Sequence, residues 1–263
     1  MDEKLIKALG EELHAALCEC KPLAPLTSHH RDLTLDDAYR ISQQFLARRE
    51  ALGERMVGKK IGVTSKQAQA MLKVDQPDFG FLTDSMQVAD GAVVSMSQYN
   101  LMAPRAEGEI AFILAQDLSG PGVTTEDVLA ATESIAPAFE IVDTRIADWK
   151  IRIEDSVADN ASSGLFALGD ARIDPRSLDL AAVVLNMTLN GQPAGQGIGS
   201  VVLGHPCNAV VWLANALIKM GIPLRRGEII LSGTLGVPVP FKAGDHLAMQ
   251  LSGMGGASLS FSD

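Results

Sequence analysis

PRAEGEIAFIL, residues 104–114, opens with a proline and closes as an apolar run, the pattern of a strand entering a core. Side chains alternate faces along a strand, so Arg105, Glu107 and Glu109 share one face while Gly108, Ile110 and Phe112 share the other. Two carboxylates side by side on a strand that heads into a core repel each other unless a cation lies between them. The stretch therefore predicts β-structure at the middle of the chain and raises the question of what that cation is.

Working outward, TTEDVLAATESIAPAFEIVD (124–143) predicts a helix from about Thr125 that Pro137 ends, then a strand at 138–143 carrying Glu140 between Phe139 and Ile141. IADWKIRIEDSVADNASSG (146–164) is polar and irregular. AAVVLNMTLNGQPAG (181–195) predicts a hairpin with Asn190-Gly191 at its turn, and HPCNAVVWLANALIKMG (205–221) a helix with Gly221 at its cap. GEIILSG and HLAMQLSGMGGASLSFS return to strand. On the N-terminal side, MVGKKIGVTS (56–65) predicts a strand, SKQAQAMLKV (65–74) a short helix, QPDFGFL (76–82) a loop and GAVVSM (91–96) another strand. Earlier still, Leu5, Ile6, Leu9, Leu13, Ala16 and Leu17 recur with a helical period. TLDDAYRISQQFLARREALG (34–53) forms a second helix with Thr34 as N-cap, acids in its first turn, Arg48 and Arg49 late and Gly53 at the end. The organisation expected is α+β, with an N-terminal helical segment over residues 1–55 and a larger, mostly β domain over 56–263.

Composition narrows the function. With 263 residues, 47% hydrophobic and 21% charged, the chain can bury a substantial core. A formal charge of −10 argues against a nucleic-acid binder, which normally shows a basic face. No apolar run is expected to reach the roughly 20 residues of a membrane helix, and the amphipathic start does not resemble a signal peptide. Cys18, Cys20 and Cys207 form no metal or disulfide framework, and free thiols suit a reducing cytosol. A soluble cytoplasmic protein is expected.

Glu140 adds a third acid to Glu107 and Glu109. Three oxygen ligands with no histidine or cysteine among them suit a hard divalent cation, Mg2+ or Mn2+. The plainer alternative is that Arg105 neutralises one glutamate and Arg145 another. In GKKIGVTS, Val57, Ile61 and Val63 share the face of Lys59, whereas Gly58, Gly62 and Thr64 share the face of Lys60. A glycine-lined face lets a ligand approach the backbone, so Lys60 is the candidate functional ammonium. Lys59 reads as a solvent or helix-pairing lysine. Asp78, in DQPDFG, is either a site residue or a turn-forming aspartate.

GKKIGVTS, VDQPDFGFLTDSM, PRAEGEIAFIL, PAFEIVDTRIADWK, VADNASSG, LGHPCNAVVWLAN and GEIILSGTLG occur in this order, and their run resembles the hydratase/decarboxylase branch of the fumarylacetoacetate hydrolase superfamily. The resemblance spans nearly the whole chain and implies a mixed β-sandwich roll over residues 56–263. It places metal binding on Glu107, Glu109 and Glu140, and acid/base roles on Lys60 and Asp78. It borders the site with Asp159, Asn160, Ala161 and Ser162, and sets Ser232 and Gly233 near the substrate carboxylate. The activity it implies is metal-dependent hydration of 2-hydroxypenta-2,4-dienoate to 4-hydroxy-2-oxopentanoate in aromatic meta-cleavage catabolism. Decarboxylation of 4-oxalocrotonate, a related 2-oxo diacid, is the alternative. A homo-oligomer is implied, as is a complex with the pathway decarboxylase. His29 and His30 do not form the His-Glu dyad of some hydrolase relatives, which disfavours carbon–carbon hydrolysis. A Lys60 ammonium beside a divalent cation is expected to have its pKa lowered. A non-catalytic scaffold of the same fold would need neither Lys60 nor Asp78.

Overall fold

Asp2 and Thr34 each turn a side-chain oxygen back to a free N–H, that of Leu5 and of Asp37, and so start two helices of equal length. The computed structural model describes residues 1–263. It begins with α1 (Glu3–Glu19), α2 (Leu26–His29) and α3 (Leu35–Ala51), followed by β1 (Met56–Gly62), α4 (Lys66–Leu72), β2 (Asp78–Thr83), β3 (Gln87–Val88), β4 (Val93–Ser95) and β5 (Arg105–Leu114). Then come α5 (Thr125–Ala131), β6 (Thr132–Val142), α6 (Ile153–Ala158), β7 (Ser163–Leu168), β8 (Val184–Leu189) and β9 (Gln192–Ile198). The chain ends with α7 (Pro206–Ile218), β10 (Ile229–Leu231), β11 (Val239–Pro240), β12 (His246–Leu251) and β13 (Gly255–Ser262).

The strands form two mixed sheets. Eight strands make the larger, in the order β2-β1-β10-β5-β6-β7-β3 with β11 also on β5, and five make the smaller, in the order β4-β13-β12-β8-β9. One face of β5 meets the smaller sheet: a Cβ added to Gly108 would lie 2.6 Å from Leu185 Cδ1. Ile110, Phe112, Phe139, Leu185 and Met249 belong to the main core, which joins 42 buried apolar residues drawn from both sheets, α5 and α7. The opposite face of β5 is thereby left for Glu107 and Glu109. A second core of 11 residues joins α1 and α3 to Ile146, Val157 and Ala158. At the α1–α3 crossing Gly10 is required, since a Cβ there would sit 2.6 Å from the Gln44 Cβ.

The mixed α+β architecture agrees with expectation, and so does the hairpin. Asn190 (φ 53°) and Gly191 (φ 75°) are both left-handed, as a two-residue turn matched to strand twist requires. Other expectations are corrected. QPDFGFL is not a loop from end to end: β2 begins at Asp78, and every residue from there to Thr83 is buried. Pro137 does not end a helix. α5 stops at Ala131, and Pro137 lies inside β6 opposite Ile110. The ladder tolerates it because both backbone groups of Ile110 turn to Ser232, whose N–H donates to Ile110 O at 3.1 Å and whose Oγ accepts the Ile110 N–H at 3.2 Å. The polar stretch after residue 145 contains α6, a helix because Val157 and Ala158 complete the N-terminal core. Residues 199–218 do reach the length and apolarity of a membrane span. Their continuous helix, α7, has only 13 residues, and seven of these are buried in the core. At 1.5 Å per residue it measures roughly 20 Å, short of the ~30 Å bilayer interior, and it is a core helix.

Candidate metal and substrate site

β5 and β6 pair with Glu107 directly opposite Glu140, so strand register alone sets two carboxylates against each other. Glu109 follows two residues along the same face. One carboxylate oxygen from each of Glu107, Glu109 and Glu140 lies within 4.8 Å of the others. Glu109 Oε2 accepts the Gly233 N–H at 2.8 Å, while Glu109 Oε1 and both Glu140 oxygens receive no aligned hydrogen bond although they are buried. Burial, followed by the neighbouring Glu140, pushes the Glu107 carboxyl up to about 8 and Glu109 well above the usual carboxylate range. Buried carboxylate oxygens left without donors, all oxygen and no nitrogen or sulfur, fit a hard divalent cation.

Lys60 and Asp78 reach the same place from the other side of β10. Lys60 Nζ stands 3.0 Å from Glu140 Oε1, at ion-pair distance though not aligned as a hydrogen bond. Burial draws the Lys60 pKa down, but Glu140, Asp78, Glu107 and Glu109 outweigh it and the net direction is upward. The expected depression is therefore not what the protein's own charges produce. Asp78 lies opposite Gly62, and any Cβ at 62 would collide with Asp78 Oδ1. The glycine thus admits the carboxylate, in keeping with a glycine-lined face. Asp78 Oδ2 accepts from Ser156 Oγ at 3.3 Å, and Oδ1 has no partner. Burial raises the Asp78 pKa, with Lys60 opposing.

A cavity of about 600 Å³ opens over these groups, with Lys60, Asp78, Arg105, Glu107, Trp149 and Ser162 in its wall. α4 forms one side, capped by Ser65, and none of its residues is buried. The remaining expected residues divide. Ser162 lines the cavity, its buried hydroxyl without a hydrogen-bond partner. Asn160 does not line it: its side chain accepts the Phe81 N–H at 2.8 Å and donates to Phe81 O at 2.9 Å, clamping the loop to β2. Ser232 and Gly233 stand behind the site, holding Ile110 and Glu109, and Thr234 is the residue of that turn in the cavity wall.

Neither arginine neutralises the glutamates through an ion pair. Arg145 is buried against Asp159, and its guanidinium also donates to the Asp143, Ser163 and Asp159 carbonyls. Arg105 forms no ion pair and instead lies 4.3 Å from the Trp149 ring centre. Lys59 is not a solvent lysine: fully buried, its Nζ is 2.6 Å from Glu228 Oε2. Ser156, Trp149 and Thr234 join the site without any local mark in the sequence that distinguishes them. Arg105 carries a signal in sharing the face of Glu107.

Residues 49–259 match the family model for the fumarylacetoacetate (FAA) hydrolase C-terminal region. The chain is 59% identical over 262 residues to a 2-hydroxyhexa-2,4-dienoate hydratase of Comamonas testosteroni, covering 100% of this chain and 99% of that one. It is 55% identical over 222 residues to a 2-hydroxypent-2,4-dienoate hydratase of Pseudomonas putida, covering 84% and 100%. Among solved structures, 4-oxalocrotonate decarboxylase from Pseudomonas putida G7, complexed with magnesium and adipate, superposes with a TM-score of 0.96 at 34% identity, over 99% of this chain and 98% of that one.

Proposed function

The chain belongs to the fumarylacetoacetate hydrolase family, and from that premise we propose that it is a divalent-cation-dependent hydro-lyase, adding water to 2-hydroxypenta-2,4-dienoate to give 4-hydroxy-2-oxopentanoate in aromatic meta-cleavage catabolism. The observation that carries this reading is a three-carboxylate cluster with Lys60 at 3.0 Å from Glu140, and with Lys60, Asp78 and Glu107 in the wall of one cavity. Hydratase and decarboxylase share this fold, and the likeness to hydratases, 59 and 55% against 34%, favours hydration.

Glu107, Glu109 and Glu140 would hold the cation. When bound, it supplies Lewis acidity for charge developing on the substrate's 2-oxygen. The chain's own groups move the protons. Conversion of the dienol to 2-oxopent-3-enoate takes a proton from the 2-hydroxyl and places one on C5. Water then adds at C4: Asp78, its Oδ1 free and its pKa raised by burial, takes the water's proton, and Lys60 delivers a proton to C3. The sum is one water gained, with no redox cofactor or covalent intermediate.

The reading extends to a helical segment at 1–55 attached to a catalytic domain at 56–263, and to a cytoplasmic homo-oligomer that associates with a pathway decarboxylase. Light scattering of the purified chain tests the assembly. The activity is tested by supplying 2-hydroxypenta-2,4-dienoate and 4-oxalocrotonate separately with Mg2+ and identifying the products. Hydration of the monoacid is expected. CO2 release from the diacid with no hydration of the monoacid would overturn the assignment.

A further inference from the structure

Two cationic side chains, Lys60 and Arg105, stand in the cavity wall. Lys60 is engaged with Glu140. The Arg105 side chain is in no hydrogen bond or ion pair within the chain, and its guanidinium carbon lies over Trp149, 4.3 Å from the ring centre. The indole is fixed in turn, since its Nε1–H donates to Ala103 O at 2.9 Å. A guanidinium with no partner of its own keeps its N–H groups free, and their planar fork matches a carboxylate with two parallel hydrogen bonds. Ser232 and Gly233, where the family resemblance places the substrate carboxylate, are occupied with Ile110 and Glu109.

Strand register orders the wall. Lys60 is opposite Leu231, and Leu231 is opposite Ala111, which puts the Lys60 backbone at the level of Ala111. Gly62, with Asp78 across from it, is two residues further along. Glu107 and Glu140 come next, and Arg105, opposite Val142, lies about 7 Å beyond them at roughly 3.4 Å per residue. Lys60 Nζ reaches back from its own level to Glu140 Oε1 at 3.0 Å, so Lys60 and Asp78 stand with the glutamates and the guanidinium stands alone at one end of the wall.

Taking the hydratase reading as its basis, we propose that Arg105 is the anchor for the substrate's C1 carboxylate, so that the acid end lies at the Arg105 and Trp149 end of the cavity and C3 to C5 point toward Asp78 and Lys60. The polarity of a 2-hydroxydienoate then matches that of the wall, with its acid end at the lone guanidinium. C1 meets the guanidinium, the 2-oxygen falls beside the glutamates, and the carbons that gain water and protons reach the two groups able to move them. The opposite orientation sets the reacting carbons at Arg105, and a guanidinium serves as no general acid or base.

The test uses two unreactive ligands, 2-oxopentanoate and 2-oxopentanamide, which differ in the charged carboxylate. Their binding to wild type, Arg105→Met, Arg105→Lys and Trp149→Leu is measured by calorimetry at fixed Mg2+, with Mg2+ affinity titrated separately. Arg105→Met should weaken the acid about 10- to 100-fold, the range of a charge-assisted hydrogen bond, and leave the amide within about twofold. Arg105→Lys should recover part of the loss, and Trp149→Leu should show a smaller loss of the same acid-selective kind. Mg2+ affinity should hold or tighten, because a neighbouring cation has gone. Equal losses for acid and amide, or no loss for either, would overturn the anchor. No turnover is needed: a wild-type protein that hydrates no dienoate but whose acid preference disappears in Arg105→Met refutes the hydratase reading and upholds Arg105 as a 2-oxo acid anchor.

Discussion

Lys60 Nζ lies 3.0 Å from Glu140 Oε1, both side chains are buried, and no other cation stands at ion-pair distance from Glu107, Glu109 or Glu140. Lys60 and the carboxylate cluster are thus one electrostatic unit. The pairing explains how an ammonium survives burial, because the surrounding carboxylates outweigh the cost of its desolvation.

Replacing Lys60 by alanine should therefore separate chemistry from cation binding. The loss of a positioned acid/base group typically lowers kcat by about 10²- to 10⁴-fold. Mg2+ should bind at least as tightly, since the variant removes a cation that competes for Glu140. Steady-state kinetics and a Mg2+ titration on the same protein check both halves. An unchanged kcat removes Lys60 from the mechanism.

Glu107→Gln should trade function for stability. Burial and the neighbouring Glu140 disfavour a charge on Glu107, and glutamine removes that cost from the folded state. In EDTA the variant should melt at or above the wild-type temperature. Mg2+ should stabilise the wild type, by about 2.7 kcal/mol at a hundredfold excess over Kd, and should not shift the variant. Turnover that depends on Mg2+ should vanish with the shift. A variant that keeps its Mg2+-induced rise in Tm does not use Glu107 as a ligand.

Strand alternation makes much of this site legible in the amino-acid sequence. It puts Glu107 and Glu109 on one face, separates Lys60 from Lys59 and aligns Lys60 with the glycines. Alternation shows which way a side chain points, not what it meets. Lys59 does take the opposite face, but its partner Glu228 precedes a different strand. Pro137 carries the local mark of a helix stop, and its place in β6 depends on Ser232 bonding Ile110. The same bonds, with that of Gly233 to Glu109, remove Ser232 and Gly233 from the cavity wall. α6 is short, and its helix is settled by packing against α3 and by the Asp155 carboxylate accepting from Thr27 of α2.

The turn at 160–162 leaves no mark in the sequence and is open to test. Asn160, Ala161 and Ser162 are all left-handed, with φ of 55°, 50° and 55°. Left-handed backbone costs a non-glycine residue about 1–2 kcal/mol, and here the Asn160 clamp on Phe81 and the Arg145–Asp159 pair hold it. Ala161→Gly should raise stability to urea by roughly 0.5–1 kcal/mol, since the glycine's entropy partly offsets the relieved strain. Asn160→Ala should cost about 1–3 kcal/mol by leaving buried Phe81 groups unpaired, and should lower kcat/KM by displacing Ser162. A destabilised Ala161→Gly variant contradicts the strain argument.

His14 predicts how the N-terminal helices respond to acid. It is buried on α1, 6.2 Å from the Phe45 ring centre, and burial, then Arg48 and Arg49, lowers its pKa below the usual 6.5. The unfolded chain therefore takes up a proton at His14 before the native chain does. As pH falls from about 6.5, the unfolded state binds more protons and stability declines, until pH is below the native pKa and both states are charged. The contribution is whole above 6.5 and lost on the acid side. Urea unfolding at several pH values between 7.5 and 5 should show a shallower acid decline for His14→Gln than for wild type. Parallel slopes would mean that His14 charges without cost in the folded helix pair.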